Sequence, residues 1–566
     1  MNAPANSTDR MKLLLAKFRE EKAAKEALTK TLIAEAVQEL VPTPDPIEPE
    51  NSNHIFDKYG KLITLNDAQS RFVELAGTEG NSAVLIGAAG TGKTTCQRAV
   101  CQALIVSGNV GLLEVNGHKH LITGTPGIVI CAYTRRAVAN IKKNLPKDLQ
   151  SNAITIHKLL EYAPVYNTVF DSETGTERTK MSFEPSRNAA NPLPSSIRTI
   201  IFEESSMIGT DLYQEVIDAC PHNPQLIFLG DIQQLPPVFG PAILGFKLLE
   251  LPVIELTEVY RQALESPIIS LAHRILSGKP LKGSEFADWK KPGQLTIHPW
   301  KKKVDYHNAL NTAGQFFIAA YDKGMYLPDE DVILLPFNKS FGTIELNKII
   351  ANHLAHIREE DVYEIVAGFN KFYCSAGDKV LYDKEDAIVL RVETNPAYAG
   401  PKPVKHSKTL DYWGFDCAAR DNIPYDSDDS DVDVDFLLAQ VTSQGEDRVR
   451  QASHILVLRM LDSEQEVRID KAADINSMLL AYAMTVHKSQ GSEWRKVFFV
   501  MHQSHATMNS RELLYTAVTR AREELYVICE TETFEKGIQS QRVKGNTIAE
   551  KAEFFKGKID SGFTLG

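Results

Sequence analysis

Gly87-Ala88-Ala89-Gly90-Thr91-Gly92-Lys93-Thr94 follows the apolar run Ala83-Val84-Leu85-Ile86 and precedes a segment of helical character. Strand, glycine-rich loop and helix in that order make a polyphosphate cradle. The glycines let backbone N–H groups wrap the phosphates, Lys93 reaches the β and γ oxygens, and the Thr94 hydroxyl ligates Mg²⁺. A glycine-rich turn is the bland alternative, and the flanking strand and helix favour the cradle. Residues 87–94, with Thr95 beside them, are therefore assigned to ATP or GTP.

Working outward, the 566 residues allow about three or four domains. A hydrophobic content of 43% and a charged content of 24% describe an ordinary globular chain. No apolar run approaches the roughly 20 residues that span a bilayer, and the N-terminus lacks a signal-peptide core, so no membrane role is expected. The seven cysteines are scattered without a CxxC pair, which points to a reduced, cytoplasmic protein without structural zinc. The net charge is −11, but Asp421 to Asp435 alone holds seven aspartates and no basic residue. That run reads as a solvated loop, since it lacks the glycine and terminal glutamate of a calcium loop. Overall acidity disfavours indiscriminate coating of duplexes but is compatible with a narrow basic channel.

Residues 9–40 carry apolar positions at helical spacing, and Pro42, Pro44, Pro46 and Pro49 then break the pattern. This extension either packs on the body or docks a protein partner. From about residue 61 the pattern is α/β, with strands near 84–86, 128–132, 199–202 and 226–229 and a second set near 332–335, 496–500 and 525–529. Two nucleotide-fold domains follow, with ligands at the carboxyl ends of the strands. Gly377-Asp378-Lys379-Val380-Leu381 opens a β-rich stretch reaching about 475, read as a small barrel. Alternating runs at 165–170 and 179–183 around a glycine-containing turn read as a β-hairpin.

The loops after these strands carry further motifs. They are Leu65-Asn66-Asp67-Ala68-Gln69; Ala132-Tyr133-Thr134-Arg135-Arg136-Ala137; Thr155-Ile156-His157-Lys158-Leu159-Leu160; and Ile201-Phe202-Glu203-Glu204-Ser205-Ser206-Met207. Then come Leu229-Gly230-Asp231-Ile232-Gln233-Gln234-Leu235-Pro236-Pro237-Val238 and Leu256-Thr257-Glu258-Val259-Tyr260-Arg261-Gln262. The last two are Thr485-Val486-His487-Lys488-Ser489-Gln490-Gly491-Ser492-Glu493 and Leu514-Tyr515-Thr516-Ala517-Val518-Thr519-Arg520-Ala521-Arg522. In content and order, over about residues 61–530, they resemble the Q motif and motifs Ia, Ib, II, III, IV, V and VI of superfamily 1 helicases. Within these the chain resembles the RecD/Dda-like 5′→3′ group.

The resemblance implies an α/β fold of two RecA-like P-loop motor domains with inserted accessory domains. It divides the chain into a helical extension (1–50), domain 1A (51–159 and 196–265), a 1B hairpin (160–195), domain 2A (266–375 and 476–566) and an SH3-like 2B insert (376–475). For catalysis it implies Lys93, Glu204 as the group that orients or deprotonates water, Gln234 as γ-phosphate sensor, and Arg261 and Arg520 as arginine fingers. Gln69 would pair the adenine edge, and Tyr260, Gly491 and Glu493 would line the nucleotide. Tyr260 reads equally as an ordinary packed tyrosine.

For Mg²⁺ the resemblance implies Thr94 and the first acid of motif II. The family has Asp-Glu there, whereas this chain has Glu203-Glu204. The extra methylene lets Glu203 act through a bridging water, or directly if the strand end recedes; a crippled ATPase is the bland alternative. The DNA strand would meet Thr134, Arg135, Thr155, Pro237, Thr485 and Lys488, with Phe170 and Phe183 of the hairpin at the junction. His157 and His487 read equally as structural histidines and as strand contacts.

The expected activity is therefore an ATP- and Mg²⁺-dependent 5′→3′ DNA helicase of replication, recombination or repair, acting on single strands and ss/ds junctions, with the N-terminal helix or acidic loop as the place where a protein partner could dock. A cytoplasmic monomer is expected. The alternatives are an RNA helicase of the same superfamily and an ATP-binding scaffold without turnover.

Overall fold

The structure, a computed structural model, describes residues 54–56, 62–108, 114–116, 120–122, 127–171, 176–237, 241–258, 266–280, 295–299, 306–338, 341–368, 370–382, 385–400, 405–406, 451–461, 464–545 and 547–560. The expected N-terminal helix, the acidic run 421–435, Tyr260 and Arg261 lie outside the described residues. A small two-stranded sheet joins β1 (His54–Phe56) to β2 (Leu62–Thr64), most of it in a unit distinct from the main body, which holds everything from Leu65 onward.

In the main body, the first sheet contains β3 (Ala83–Gly87), β6 (Gly127–Ala132), β7 (Ala153–Thr155), β10 (Ile197–Phe202), β11 (Gln225–Gly230) and β12 (Val253–Leu256). Their order is β12-β3-β11-β10-β6-β7, and every pairing is parallel. The central strands are continuous apolar runs rather than alternating ones, because both faces of a parallel sheet are covered. One face packs Phe72, Cys96, Val100, Leu104 and Val138; the other packs Tyr213, Val216, Phe246 and Phe555. Hairpins β4 (Glu114–Asn116) with β5 (His120–Ile122) and β8 (Tyr162–Asp171) with β9 (Thr176–Pro185) interrupt this lobe. The latter spans the segment expected to form a hairpin, with Phe170 opposite Glu177 and Phe183 opposite Pro164.

The second sheet is also parallel, in the order β13 (Leu295–Pro299), β25 (Ala521–Cys529), β24 (Trp494–Met501), β14 (Val332–Leu335), β23 (Ala483–Thr485). Between β14 and β23 the chain leaves the lobe. β15 (Val362–Ala367), β16 (Asn370–Cys374) and β19 (Lys405–His406) form one antiparallel sheet. A second contains β17 (Lys379–Tyr382), β18 (Glu385–Thr394), β20 (Gln451–Met460), β21 (Glu466–Lys471) and β22 (Leu479–Leu480). The antiparallel region thus begins at β15, ahead of the expected boundary at 376. Tyr363–Ala367 pair locally with β16 in a hairpin ahead of the Gly377 turn.

A second difference concerns the C-terminus. Residues 476–566 were expected in the second lobe, but helix Ile548–Asp560 packs on the first. Phe555 lies 5.9 Å from the Phe246 ring, and a Cβ at Gly245 would come within 2.6 Å of Phe555. Only glycine admits that aromatic face. Among the described residues, no helix is long and apolar enough to cross a membrane.

Candidate functional site

β3, β11 and β10 are neighbours, so the loops after their carboxyl ends fall side by side. Those loops are the glycine-rich loop, motif III and motif II. Gly90 (φ +81°) and Gly92 (φ +88°) adopt the left-handed conformation that the first loop needs and that other residues resist. Lys93 then opens helix Lys93–Val106, and its Nζ donates to Gly87 O at 2.6 Å and Ala88 O at 3.2 Å. Thr94 is exposed in the first turn, and the Thr95 N–H donates to Gly92 O. Gln69 departs from its expected place at an adenine edge. It is fully buried, its Oε1 accepts from the Asn66 N–H at 3.1 Å, and its Nε2 donates to Thr91 O at 3.2 Å. Here Gln69 caps its own helix and braces the phosphate loop, so both ends of its amide are engaged.

Motif II begins where β10 ends. The Glu203 N–H donates to Cys131 O at 2.8 Å, and the side chain is buried. Burial, then the neighbouring Glu204 charge, push its carboxyl up to about 7, against the pull of Lys93. Glu204 itself sits at φ +49°, a conformation that costs a non-glycine residue about 1–3 kcal/mol and clusters at functional sites. Its Oε2 is buried without a hydrogen-bond partner, and so is Gln234 Oε1 in motif III. Ser205 Oγ donates to Leu229 O at 2.8 Å, locking the ends of β10 and β11 together.

The second lobe reaches this site through helix Arg511–Val518. Tyr515 Oη accepts from the Ala89 N–H at 2.7 Å and donates to Asp231 Oδ2 at 2.5 Å, while Asp231 Oδ1 takes the Gln233 N–H at 3.0 Å. Burial and Asp231 hold the Tyr515 phenol well above its ordinary range, so it stays a donor. The Leu235 N–H donates to Thr516 Oγ1 at 2.9 Å, and Gln490 Nε2 donates to Leu235 O at 2.8 Å. Sequence reasoning missed Tyr515, Asp231, Thr516 and Gln490; all lie inside motifs, but their pairing becomes visible only once the lobes are placed together.

Arg520, expected to point across the cleft, is held within its own lobe. Its guanidinium donates to Thr516 O at 3.0 Å, Ser492 O at 3.2 Å and Thr519 Oγ1 at 3.2 Å. Gly491, expected at the nucleotide, instead abuts motif Ia. Its φ is +72°, its carbonyl accepts from Asn140 Nδ2 at 2.9 Å, and a Cβ there would lie 2.8 Å from Ala137 Cβ. Glu493 is exposed two residues further on.

The three threonines expected at the strand are all helix or turn caps. Thr134 Oγ1 accepts from the Ala137 N–H at 3.1 Å, Thr155 Oγ1 from Lys158 N–H at 3.2 Å, and Thr485 Oγ1 from Lys488 N–H at 3.3 Å. Accepting leaves each hydroxyl proton able to donate to a phosphate. Gly491 and Thr134 bring motif V against motif Ia, since the same Cβ would lie 3.1 Å from Thr134 Oγ1. His157 is packed edge-on between Tyr133 at 5.5 Å and Tyr162 at 5.0 Å. His487, Lys488 and Pro237 are half-buried, and Arg135 is exposed. Arg136, not expected in a role, pairs with Asp386 of β18 and lies 5.6 Å from the Trp494 ring. Phe170 and Phe183 are placed by their backbones alone, on β8 and β9.

A profile described as an AAA domain matches residues 69–240, and one described as a UvrD-like helicase C-terminal domain matches 480–528. The chain is 26% identical over 521 residues to the ATP-dependent RecD2 DNA helicase of Deinococcus radiodurans, covering 91% of this chain and 56% of that protein. It therefore spans little more than half of that relative. It is 24% identical over 475 residues to the ATP-dependent DNA helicase dda of Enterobacteria phage T4, covering 78% of this chain and 93% of that one. Among solved structures, it is similar to a Pif1 helicase from Bacteroides in complex with ADP-AlF3 and ssDNA, at 14% identity and a TM-score of 0.45, covering 88% of this chain and 98% of that one. With its motifs in order and the RecD2 and dda sequences matched along most of its length, the chain is similar to the RecD/Dda-like group of the superfamily 1 helicases.

Proposed function

We propose that this chain is an ATP-dependent 5′→3′ DNA helicase that moves along single-stranded DNA and opens duplexes at ss/ds junctions. The observation that carries the reading is the convergence of Lys93, Glu204 and Gln234 at the ends of three adjacent strands, with motif VI of the second lobe bonded to the same loops. Buried, unpartnered Glu204 Oε2 and Gln234 Oε1 suit a site that takes a nucleotide and its attacking water, because buried polar atoms otherwise find partners.

Lys93 compensates phosphate charge. Glu204 receives the proton of the water as its oxygen bonds to the γ-phosphorus and the bond to the leaving β-phosphate oxygen breaks, giving ADP and phosphate. Thr94 and Glu203 would hold Mg²⁺. A hydroxyl and a carboxylate suit an ion that takes one or two protein oxygens plus phosphates. Mg²⁺ held there would neutralise phosphate charge.

Two expectations follow from these placements. Glu203→Asp retains substantial ATPase, whereas Glu203→Ala requires more Mg²⁺ for half-maximal rate. Because burial and the Glu204 charge push the Glu203 carboxyl up to about 7, and a protonated carboxyl attracts no cation, the wild-type Mg²⁺ requirement is expected to rise as pH falls below that value. Magnesium titrations at several pH values check both, and an unchanged requirement in Glu203→Ala removes the residue from the metal.

A separate expectation concerns hairpin β8–β9, which we assign to strand separation. It lies outside the nucleotide motifs, so replacing residues 171–178 by Asn-Gly preserves strand-stimulated ATPase and lowers unwinding. Equal loss of both makes it a folding element. We also read sheets β15–β22 as the SH3-like accessory domain.

The deciding experiment is unwinding of matched duplexes with either a 5′ or a 3′ single-stranded tail. Unwinding from the 5′ tail alone is expected, and the reverse preference overturns the polarity. Matched RNA strands in the ATPase assay test the sugar, and a chain that binds ATP without strand-stimulated turnover is a scaffold.

A further inference from the structure

The Ala89 N–H belongs to the loop whose amides wrap a polyphosphate, and it donates to the hydroxyl of a tyrosine more than four hundred residues later in the chain, 2.7 Å away. Tyr515 is fully buried, and its only hydroxyl proton goes to Asp231 Oδ2. The same helix is fastened to motif III one residue on, through Thr516 and the Leu235 N–H. One hydrogen bond therefore joins the phosphate loop to a second-lobe element that also holds motif III.

We propose that Tyr515 is a positioning residue that exchanges with nucleotide: a phosphate oxygen takes the Ala89 N–H, and the Tyr515 hydroxyl is left to Asp231 alone. An amide N–H serves one strong acceptor at a time, and a charged phosphate oxygen outcompetes a neutral phenol. Nucleotide occupancy thereby changes what the motif VI helix is bonded to, without any residue of that helix touching the nucleotide. The reading refines the helicase proposal, but its first test does not depend on it.

In Tyr515→Phe the ring packing is kept and the competing oxygen is lost. The nucleotide-free protein then leaves the Ala89 N–H without its acceptor, and binding no longer breaks a bond. By linkage, this variant binds tighter. Titration of the full chain with a fluorescent ADP, without DNA, should give an affinity increased about 3–10-fold, the worth of one neutral hydrogen bond. The KM for ATP should fall more than kcat changes, and the fold-stimulation by single-stranded DNA should shrink because the strand-free rate rises. Unchanged or weaker ADP binding in a variant with a wild-type melting transition overturns the proposal.

Fluorotyrosine in place of Tyr515 gives a reading that does not depend on how the phenylalanine variant folds. Its fluorine resonance should shift when ADP saturates the protein, and a resonance that does not move overturns the exchange. Tighter ADP binding in Tyr515→Phe, with a wild type that strands never stimulate, leaves the exchange standing and removes the helicase reading. Normal wild-type unwinding with unaltered ADP affinity in the variant does the opposite.

Discussion

Glu204→Gln binds ATP as the wild type does and hydrolyses it about 10²–10⁴-fold more slowly, the usual worth of a positioned general base. The amide is the carboxylate's isostere, so it keeps the left-handed backbone at φ +49° that begins the 3₁₀ turn Ser205–Met207. What it loses is the capacity to take a proton. The buried, unpartnered Oε2 is the atom at stake, and an amide nitrogen or oxygen in its place accepts no proton near neutral pH. Removal of Lys93 acts differently. Its ammonium holds Gly87 O and Ala88 O and stands ready for phosphate charge, so Lys93→Ala weakens nucleotide binding itself. Nucleotide titration beside strand-stimulated turnover separates the two, and near-normal turnover in Glu204→Gln takes the residue out of the role.

The parts of this site that are legible in the sequence are those in which chemistry is local. Gly90 and Gly92 announce a left-handed loop, the following Lys-Thr announces phosphate, and apolar runs such as Ala83–Gly87 and Gln225–Gly230 announce strands covered on both faces. Motif order then supplies the neighbourhood. What escapes is whatever depends on two distant segments meeting. Tyr515 reads as one more aromatic of motif VI until Ala89 and Asp231 are placed against its hydroxyl. Gln69 reads as a free amide edge until the Asn66 cap and the Thr91 carbonyl use both of its ends. Helix Ile548–Asp560 follows the second lobe in sequence but packs on the first, where Gly245 makes room for Phe555. The start of the antiparallel region differs from the boundary expected at 376 for the opposite reason. The β15–β16 hairpin is a local signal, overlooked beside the stronger Gly377-Asp378 turn.

Arg520→Ala loses strand-stimulated hydrolysis by about 10³–10⁵-fold, the scale of an arginine finger on a transferring phosphoryl group, and loses unwinding with it. ADP affinity stays close to the wild type, because the contact forms only as the γ-phosphoryl charge develops. The structure adds a condition to this expectation. The guanidinium is buried and spends its N–H groups on Thr516 O, Ser492 O and Thr519 Oγ1, all within the second lobe. Reaching phosphate means giving up some of these bonds, each worth about 1.5–3 kcal/mol to a charged donor, so the exchange is favourable only against a fully charged, desolvated phosphate. That links the finger to closure of the lobes. Arg520→Lys is expected to fail almost as badly, since a single ammonium cannot bridge Ser492 and Thr516 and still extend as a fork. Turnover, ADP affinity and melting temperature measured together decide the matter. A variant with near-normal turnover and a lowered melting temperature makes Arg520 a brace for motif V, and places the charge that completes the site elsewhere.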